Sequence, residues 1–222
     1  MNSLIQHLKP VPNLICLDPA ENGKFMLVKE ANEDVSGEFL IFHYLASFLS
    51  STKQQTEILI FSFQHSSNHY FQILRKLIPN VDRNVMNIIE MRDSNKLSYQ
   101  NYLNENIRFI ILDGISVASL VLQNSSKIID AVRGIFAFAK KRKASLLIRN
   151  TVGYFDTLDR YLESLFDCES GIKFYIQPLQ SAGKCKDADG VMEMTTFNGK
   201  SFNNFELLFK FLDNCQVSFF AK

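Results

Sequence analysis

Short apolar runs and longer segments with helical spacing alternate along the first half of the chain. Residues 24–28 and 57–63 are apolar runs of strand length. Residues 37–49 and 67–78 place large apolar side chains three and four positions apart, which is the spacing of a helix with one buried face. The pattern therefore predicts two successive strand–helix units.

The same alternation continues through the middle of the chain. Residues 108–112 are almost wholly apolar and end at Asp113, which is typical of a strand covered on both faces of a parallel sheet. A weaker run at 85–91 is a candidate strand. A long helix is predicted from Ser126, followed by a strand over 145–148 and a further helix.

The C-terminal part of the chain is rich in β-strand patterns. Its apolar or alternating segments lie at residues 172–177, 191–197, 202–211 and 215–220. The pairs Asp189-Gly190 and Asn198-Gly199 favour tight hairpins. An antiparallel meander is therefore predicted at this end.

This order of elements indicates the fold class. Alternating βα units followed by hairpins predict a three-layer α/β domain, with a mostly parallel sheet extended by C-terminal antiparallel strands. This is the outline of RecA-like domains of the P-loop NTPase type. We expect residues 23–222 to form one such domain. Residues 1–22 contain three prolines and little periodicity, so we expect them to form an N-terminal arm.

The loop after the first strand has the position of a phosphate-binding loop without its chemistry. In a P-loop the backbone wraps the phosphates, a lysine neutralises them and a hydroxyl holds magnesium. Within residues 32–39, Gly37 stands at a required glycine position, but Glu38 replaces the lysine and Phe39 replaces the hydroxyl residue. The sequence therefore predicts a degenerate P-loop.

Two further positions concern nucleotide chemistry. Asp113 resembles a Walker B aspartate, although many structural strands also end in aspartate. Gln64 stands at the end of the second strand, where RecA-type enzymes carry an acidic residue that activates water, and glutamine cannot act as a general base. We therefore expect a protein that is not an enzyme, with no catalytic residues and no bound cofactor.

The sequence also predicts no metal site. His65 and His69 are four residues apart, but no third ligand is positioned beside them by sequence, which favours surface histidines over ligands. The cysteines are far apart and match no CxxC spacing, as in an intracellular protein with reduced thiols. They are Cys16, Cys168, Cys185 and Cys215.

Composition and charge narrow the classes of partner. The content of 46% hydrophobic and 21% charged residues excludes collagen-like, disordered and disulfide-scaffold classes. The formal net charge of +1 provides no global attraction to nucleic acid. Twenty phenylalanines without a tryptophan suit a subunit that buries extra surface against partners. Because no apolar stretch approaches about 18 residues, we expect no membrane span.

Local positive charge leaves a few candidates for RNA contact. The basic run at 140–143 ends a predicted helix at the amino edge of the sheet, where cations complement the helix dipole. Ligands of open α/β sheets meet the opposite, carboxyl edge. Arg149 and Asn150 at that edge, and then Lys184 and Lys186 before the last hairpins, are therefore the candidate RNA-facing or pore residues.

Four segments, taken in this order, resemble the Elongator complex protein six family. They are GEFLIFHYL at 37–45, FSFQHSSNHY at 61–70, LDGISV at 112–117 and VSFFAK at 217–222. The segments span nearly the whole chain after the predicted arm. The chain departs from the family in its short connection between Met91 and Arg108.

The resemblance implies a RecA-like fold without Walker motifs, assembled with Elongator subunits four and five into a hexameric ring with two copies of each. Such a ring binds transfer RNA and docks on the catalytic Elongator subcomplex that begins wobble-uridine modification. It implies a cytoplasmic location, with the nucleus left open. In RecA-like rings a neighbour covers the nucleotide face, so Glu38, Phe39 and Gln64 are candidate subunit-interface residues. Phe39 fits a core position equally well.

Two other functions remain as alternatives. One is a catalytically inactive RecA paralogue that acts as a DNA recombination mediator, which a basic DNA-facing loop would favour. The other is a true NTPase with a divergent loop, which Glu38, Phe39 and Gln64 jointly oppose.

Overall fold

One nine-stranded sheet runs through the part of the chain that the computed structural model describes. The described residues are 23–32, 34–51, 57–78, 81, 83–91, 99–122, 125–167, 171–179, 188–197, 201–212 and 217–221. The strands are β1 (Phe25–Glu30), β2 (Glu57–Ser62), β3 (Met86–Glu90), β4 (Ile107–Asp113), β5 (Ser145–Thr151), β6 (Ile172–Pro178), β7 (Gly190–Phe197), β8 (Phe202–Phe211) and β9 (Val217–Ala221). The helices are α1 (Glu38–Ser51), α2 (Ser67–Leu77), α3 (Ile115–Leu122), α4 (Ser125–Arg142) and α5 (Asp156–Asp167).

The strand order separates a parallel part of the sheet from an antiparallel part. Across the sheet the order is β3-β2-β4-β5-β1-β6-β7-β8-β9. The first six strands in that order are parallel to one another. The strands β7, β8 and β9 follow, and each pairs antiparallel with the strand before it. This confirms the predicted parallel sheet with C-terminal antiparallel strands.

Helices cover both faces of the sheet. Met26 and Val28 of β1 pack in the same apolar cluster as α1 and α2. Phe25 and Leu27 point to the other face, where they join α3, α4 and α5. This alternation is the two-residue period of a strand buried on both sides. The three-layer α/β architecture is therefore confirmed.

Some boundaries differ from the sequence-based prediction. β1 continues to Glu30, two residues beyond the predicted end, and α4 begins at Ser125. The helix α3 was not predicted, because its eight residues are nearly all apolar and show no amphipathic period. The predicted arm at 1–22 and the turn pair at 198–199 lie outside the described residues.

The carboxyl ends of four adjacent strands meet at one edge of the sheet. Ser62 of β2 is level with Asp113 of β4, and Asp113 is level with Arg149 of β5. Glu30 of β1 is level with Thr151 of β5. The register therefore brings polar and charged side chains from separate parts of the chain to the same place.

Gly114 links β4 to α3, and two features of this position favour glycine. Its backbone is in the left-handed region, and the side chain of Gln64 leaves no room for a Cβ. Its φ is 76°, and a Cβ there would lie 2.6 Å from Gln64 Cγ. We expect Gly114→Ala to lower the free energy of unfolding by about 2 kcal/mol, measured by urea denaturation. Gly153→Ala is the matched control, because Gly153 has φ 90° but no atom within 4 Å of the added Cβ. Equal losses in the two variants would contradict the role of crowding at Gly114.

Candidate functional site

Glu30, Asp113 and Arg149 form a buried ion network at the carboxyl edge of the sheet. Asp113 and Arg149 are level on neighbouring strands, and Arg149 Nε lies 2.7 Å from Asp113 Oδ1. Their side chains are 0% and 3% exposed. Because two buried charges attract more strongly than exposed ones, but are costly to remove from water, each ion depends on the presence of the other.

The carboxylate of Glu30 takes contacts that a phosphate takes in a P-loop. Its Oε1 accepts a hydrogen bond from the backbone N–H of Gly37, at 2.6 Å, and lies 3.7 Å from Arg149 Nη1. Its Oε2 accepts a hydrogen bond of 3.0 Å from the hydroxyl of Thr151. Backbone N–H groups at the start of a helix attract anions. Here the chain supplies that anion from its own β1 strand.

The loop before α1 is packed tightly against this network. A Cβ on Gly37 would lie 2.5 Å from Val28 Cγ1, so the close packing of the loop against β1 favours glycine at this position. Ser36 Oγ accepts hydrogen bonds of 3.1 Å from Arg149 Nη1 and of 3.1 Å from the backbone N–H of Glu38. The side chains of β1 and β5 therefore hold the loop in place.

Both carboxylate oxygens of Asp113 contact protein groups. Oδ1 faces Arg149, and Oδ2 accepts a hydrogen bond from the hydroxyl of Tyr70. The oxygen of that hydroxyl also lies 3.0 Å from Ser62 Oγ. Gln64 Oε1 accepts a hydrogen bond from Arg149 Nη2. A Walker B aspartate faces magnesium instead, so the geometry of Asp113 suits a structural ion pair.

Burial and charge oppose each other at Arg149. Burial lowers the pKa of its guanidinium, but the carboxylates of Asp113, Glu30 and Glu38 together raise that pKa by more. Burial also raises the pKa of the Tyr70 hydroxyl, and the charge of Asp113 adds to the effect. Arg149 therefore stays charged, and Tyr70 stays a neutral hydrogen-bond donor.

Glu38, His65 and His69 form a second cluster, the imidazole cluster, beside the ion network. Glu38 Oε1 lies 2.6 Å from His69 Nε2 and 3.3 Å from His65 Nε2. The two imidazole rings stack with centroids 4.1 Å apart and planes 15° apart. The sequence alone positioned no third potential ligand beside the histidines, whereas the structure places Glu38 there. Glu38 is distant from them in sequence, and only the packing of α1 against α2 brings it close.

The structure corrects the interpretation of Arg149 and Asn150 as RNA-facing or pore residues. They are 2% and 1% exposed. Arg149 contacts the acidic groups of the network, and Asn150 Nδ2 donates a hydrogen bond of 2.6 Å to Asp159 Oδ1. Side chains enclosed in this way cannot reach an RNA backbone. Lys184 and Lys186, the other candidates for RNA contact, lie outside the described residues.

The candidate subunit-interface residues all contact other parts of this chain. Glu38 belongs to the imidazole cluster, and Gln64 contacts Arg149. Phe39 is half-buried and borders an apolar cavity of about 300 Å³. Its ring packs, with centroid separations of 5.2, 5.8 and 6.0 Å, against Phe209, Phe211 and Phe219. Phe39 therefore contributes to packing between α1 and the last strands, and its contact with a partner stays a prediction.

Sequence reasoning missed Glu30 and Tyr70, and it misjudged the environment of Arg149. A signal for Glu30 was present, since an acidic residue close to the end of a buried strand needs a partner. Tyr70 was assigned to the apolar stripe of its helix, which describes its ring but not its hydroxyl.

Comparison with known proteins identifies the fold. No protein-family model matches the chain, and no curated protein matches it in sequence. A solved structure of a KaiC-like protein from the hyperthermophilic archaeon Pyrococcus horikoshii is similar over 89% of each chain, with a TM-score of 0.59 and 11% sequence identity. At this identity the likeness shows a RecA-like fold alone. Among the described helices, none is long and apolar enough to cross a membrane.

Removing one partner from the ion network should leave an unpaired buried charge. We expect Arg149→Met to lower the free energy of unfolding by about 3–5 kcal/mol, measured by chemical denaturation. In a double-mutant cycle with Asp113→Asn, the double variant should be more stable than the sum of the two single losses indicates.

An exposed ion pair provides the control for this prediction. Arg133 Nη1 lies 3.1 Å from Asp130 Oδ1, with side chains 64% and 70% exposed. Arg133→Met should change stability by less than about 1 kcal/mol. A similarly small loss for Arg149→Met would show that the buried network contributes little to folding.

Proposed function

We propose that this chain is a non-catalytic, RecA-like subunit of the Elongator complex protein six type, acting within a heteromeric ring that supports wobble-uridine modification of transfer RNA. The observation that carries the non-catalytic part is the bond between Glu30 and the backbone N–H of Gly37. A nucleotide triphosphate at this loop would meet the carboxylates of Glu30 and Glu38 in place of a lysine. Like charges so close together oppose its binding.

The position of the Elongator-like segments supports the proposal. Segments 37–45, 61–70 and 112–117 lie at the start of α1, at the β2–α2 junction and at the β4–α3 junction. Each of these three segments contributes a residue to the ion network or contacts it, through Gly37, through Gln64 and Tyr70, and through Asp113. The fourth segment contains β9, whose Phe219 packs against Phe39 of the first segment. The resemblance is thus concentrated around one edge of the sheet and the strands packed beside it.

Exposed aromatic side chains on β8 suit a subunit of an assembly. Phe202, Phe205 and Phe211 are 53%, 46% and 43% exposed. Aromatic side chains are enriched at protein interfaces, where they bury large areas at low entropic cost. We propose Elongator subunits four and five as the neighbours. Transfer RNA and the catalytic Elongator subcomplex would bind the complete ring, in the cytoplasm and with the nucleus left open.

Co-expression with Elongator subunits four and five, followed by native mass spectrometry, tests the assembly. We expect a hexamer with two copies of each chain. A chain that remains a stable monomer in the presence of both partners would contradict the proposal. Co-purification with recombination proteins instead would support the alternative function as a recombination mediator.

Nucleotide binding tests the non-catalytic part separately. We expect no saturable binding when the purified chain is titrated with a fluorescent ATP analogue and magnesium, because Asp113 is paired with Arg149 and Glu30 bonds to the loop. A parallel titration without magnesium controls for non-specific binding of the fluorophore. Tight, magnesium-dependent binding of the ATP analogue would contradict the non-catalytic part of the proposal and favour the alternative of a true NTPase with a divergent loop.

A further inference from the structure

The imidazole cluster joins three potential metal ligands from three parts of the fold. Glu38 opens α1, His65 lies in the connection after β2, and His69 lies in the first turn of α2. One nitrogen or oxygen of each lies within 4.8 Å of those of the other two. Among the described residues, this is the one group of three or more histidine, cysteine, aspartate or glutamate side chains whose ligand atoms all lie so close together.

The distances between the ligand atoms suit a shared ion, provided that one imidazole ring rotates. Imidazole nitrogens and carboxylate oxygens bind zinc at about 2.0–2.2 Å, so neighbouring ligand atoms in a tetrahedral site lie roughly 3.3 Å apart. His65 Nε2 already lies 3.3 Å from Glu38 Oε1, and His69 Nε2 lies 2.6 Å from it. Both Nε2 atoms therefore lie near the same carboxylate oxygen. Because a metal ion binds in the plane of an imidazole ring and these two rings lie 15° from parallel, one ring must rotate for both nitrogens to reach the ion. Binding of an ion would increase the distance between His69 Nε2 and Glu38 Oε1 by less than about 1 Å.

The charges around the cluster favour a divalent cation. Glu38 lies beside the ion network, because its backbone N–H donates a hydrogen bond to Ser36 Oγ, which also accepts one from Arg149 Nη1. The network and the cluster together contain three carboxylates, those of Glu30, Asp113 and Glu38, and the one guanidinium of Arg149. A divalent cation would balance the remaining negative charge, whereas a bound anion would increase it.

The backbone that carries the histidines is already held in position. Ser62 Oγ accepts a hydrogen bond of 3.0 Å from the backbone N–H of His65 and donates one of 2.8 Å to its carbonyl oxygen. Glu90 Oε1 accepts a hydrogen bond of 2.8 Å from the backbone N–H of Ser67. A preorganised loop loses little conformational entropy on binding an ion.

The site is also accessible to solvent. The side chains of Glu38, His65 and His69 are 18%, 30% and 33% exposed. An ion held by these three ligands would keep at least one position for water or for a group from a partner. Two imidazoles with one carboxylate suit zinc, cobalt and nickel, whereas magnesium and calcium prefer oxygen ligands.

We propose that Glu38, His65 and His69 form a binding site for one divalent transition-metal ion of the zinc type. The site belongs to this chain alone and does not depend on assembly into a ring. It lies next to the degenerate phosphate loop, and its carboxylate ligand stands where a P-loop carries its lysine.

The full-length chain, stripped with a chelator and then dialysed, is titrated with Co²⁺ and followed by visible absorption. We expect one equivalent to bind with the d–d bands of a low-symmetry site of four or five ligands, and Zn²⁺ to displace it. Mg²⁺ at millimolar concentration should leave the spectrum unchanged. Absence of saturable Co²⁺ binding would overturn the proposal.

Substitutions locate the binding. His65→Ala, His69→Ala and Glu38→Gln should each weaken Co²⁺ binding by about tenfold or more. His43→Ala is the matched control, because His43 is an exposed histidine on α1 outside the cluster, and this variant should bind as the unchanged chain does. Glu38→Gln keeps the size of the side chain and so guards against loss of fold, which thermal unfolding of every variant checks. Unchanged affinity in all three cluster variants would assign the ion elsewhere and overturn the site.

Discussion

The guanidinium of Arg149 is the group on which the carboxyl edge of the sheet depends. The strand order places β5 between β4 and β1, so Arg149 stands between Asp113 on one side and Glu30 on the other. Without a cation between them, these two buried carboxylates would repel each other. The topology therefore explains why an arginine can be buried here, and the arginine explains why the two strands on either side of β5 can both end in an acidic residue.

The same arrangement determines what the loop before α1 can do. In a P-loop enzyme, the corresponding backbone N–H groups bind a phosphate, and nearby switch segments become ordered or disordered according to the nucleotide that is bound. Here the N–H of Gly37 is already bonded to Glu30, and Ser36 is bonded to Arg149. Under the proposed function, such a subunit presents one constant face to its neighbour in the ring, whatever nucleotide the neighbour carries.

The fold was more predictable from the sequence than the site, because the signals differ in range. Strand and helix periods and turn pairs are local, and they were sufficient for the parallel sheet and its antiparallel extension. Motif positions also identified Glu38 and Gln64 as departures from nucleotide chemistry. The environment of Arg149 was not accessible in this way, since its partners lie on other strands. All seven residues of β5 are buried, yet the apolar pattern ends before Arg149, and hydropathy alone reads such a residue as exposed.

One residue, Glu38, belongs both to the proposed lack of nucleotide binding and to the proposed metal site. Glu38 places a carboxylate where a P-loop has a lysine, so the start of α1 favours a cation in place of an anion. The packing of α1 on α2 then brings that carboxylate within 3.3 Å of both His65 and His69. A carboxylate at this position repels a phosphate and attracts a cation, so Glu38 contributes both to the proposed lack of nucleotide binding and to the proposed metal site.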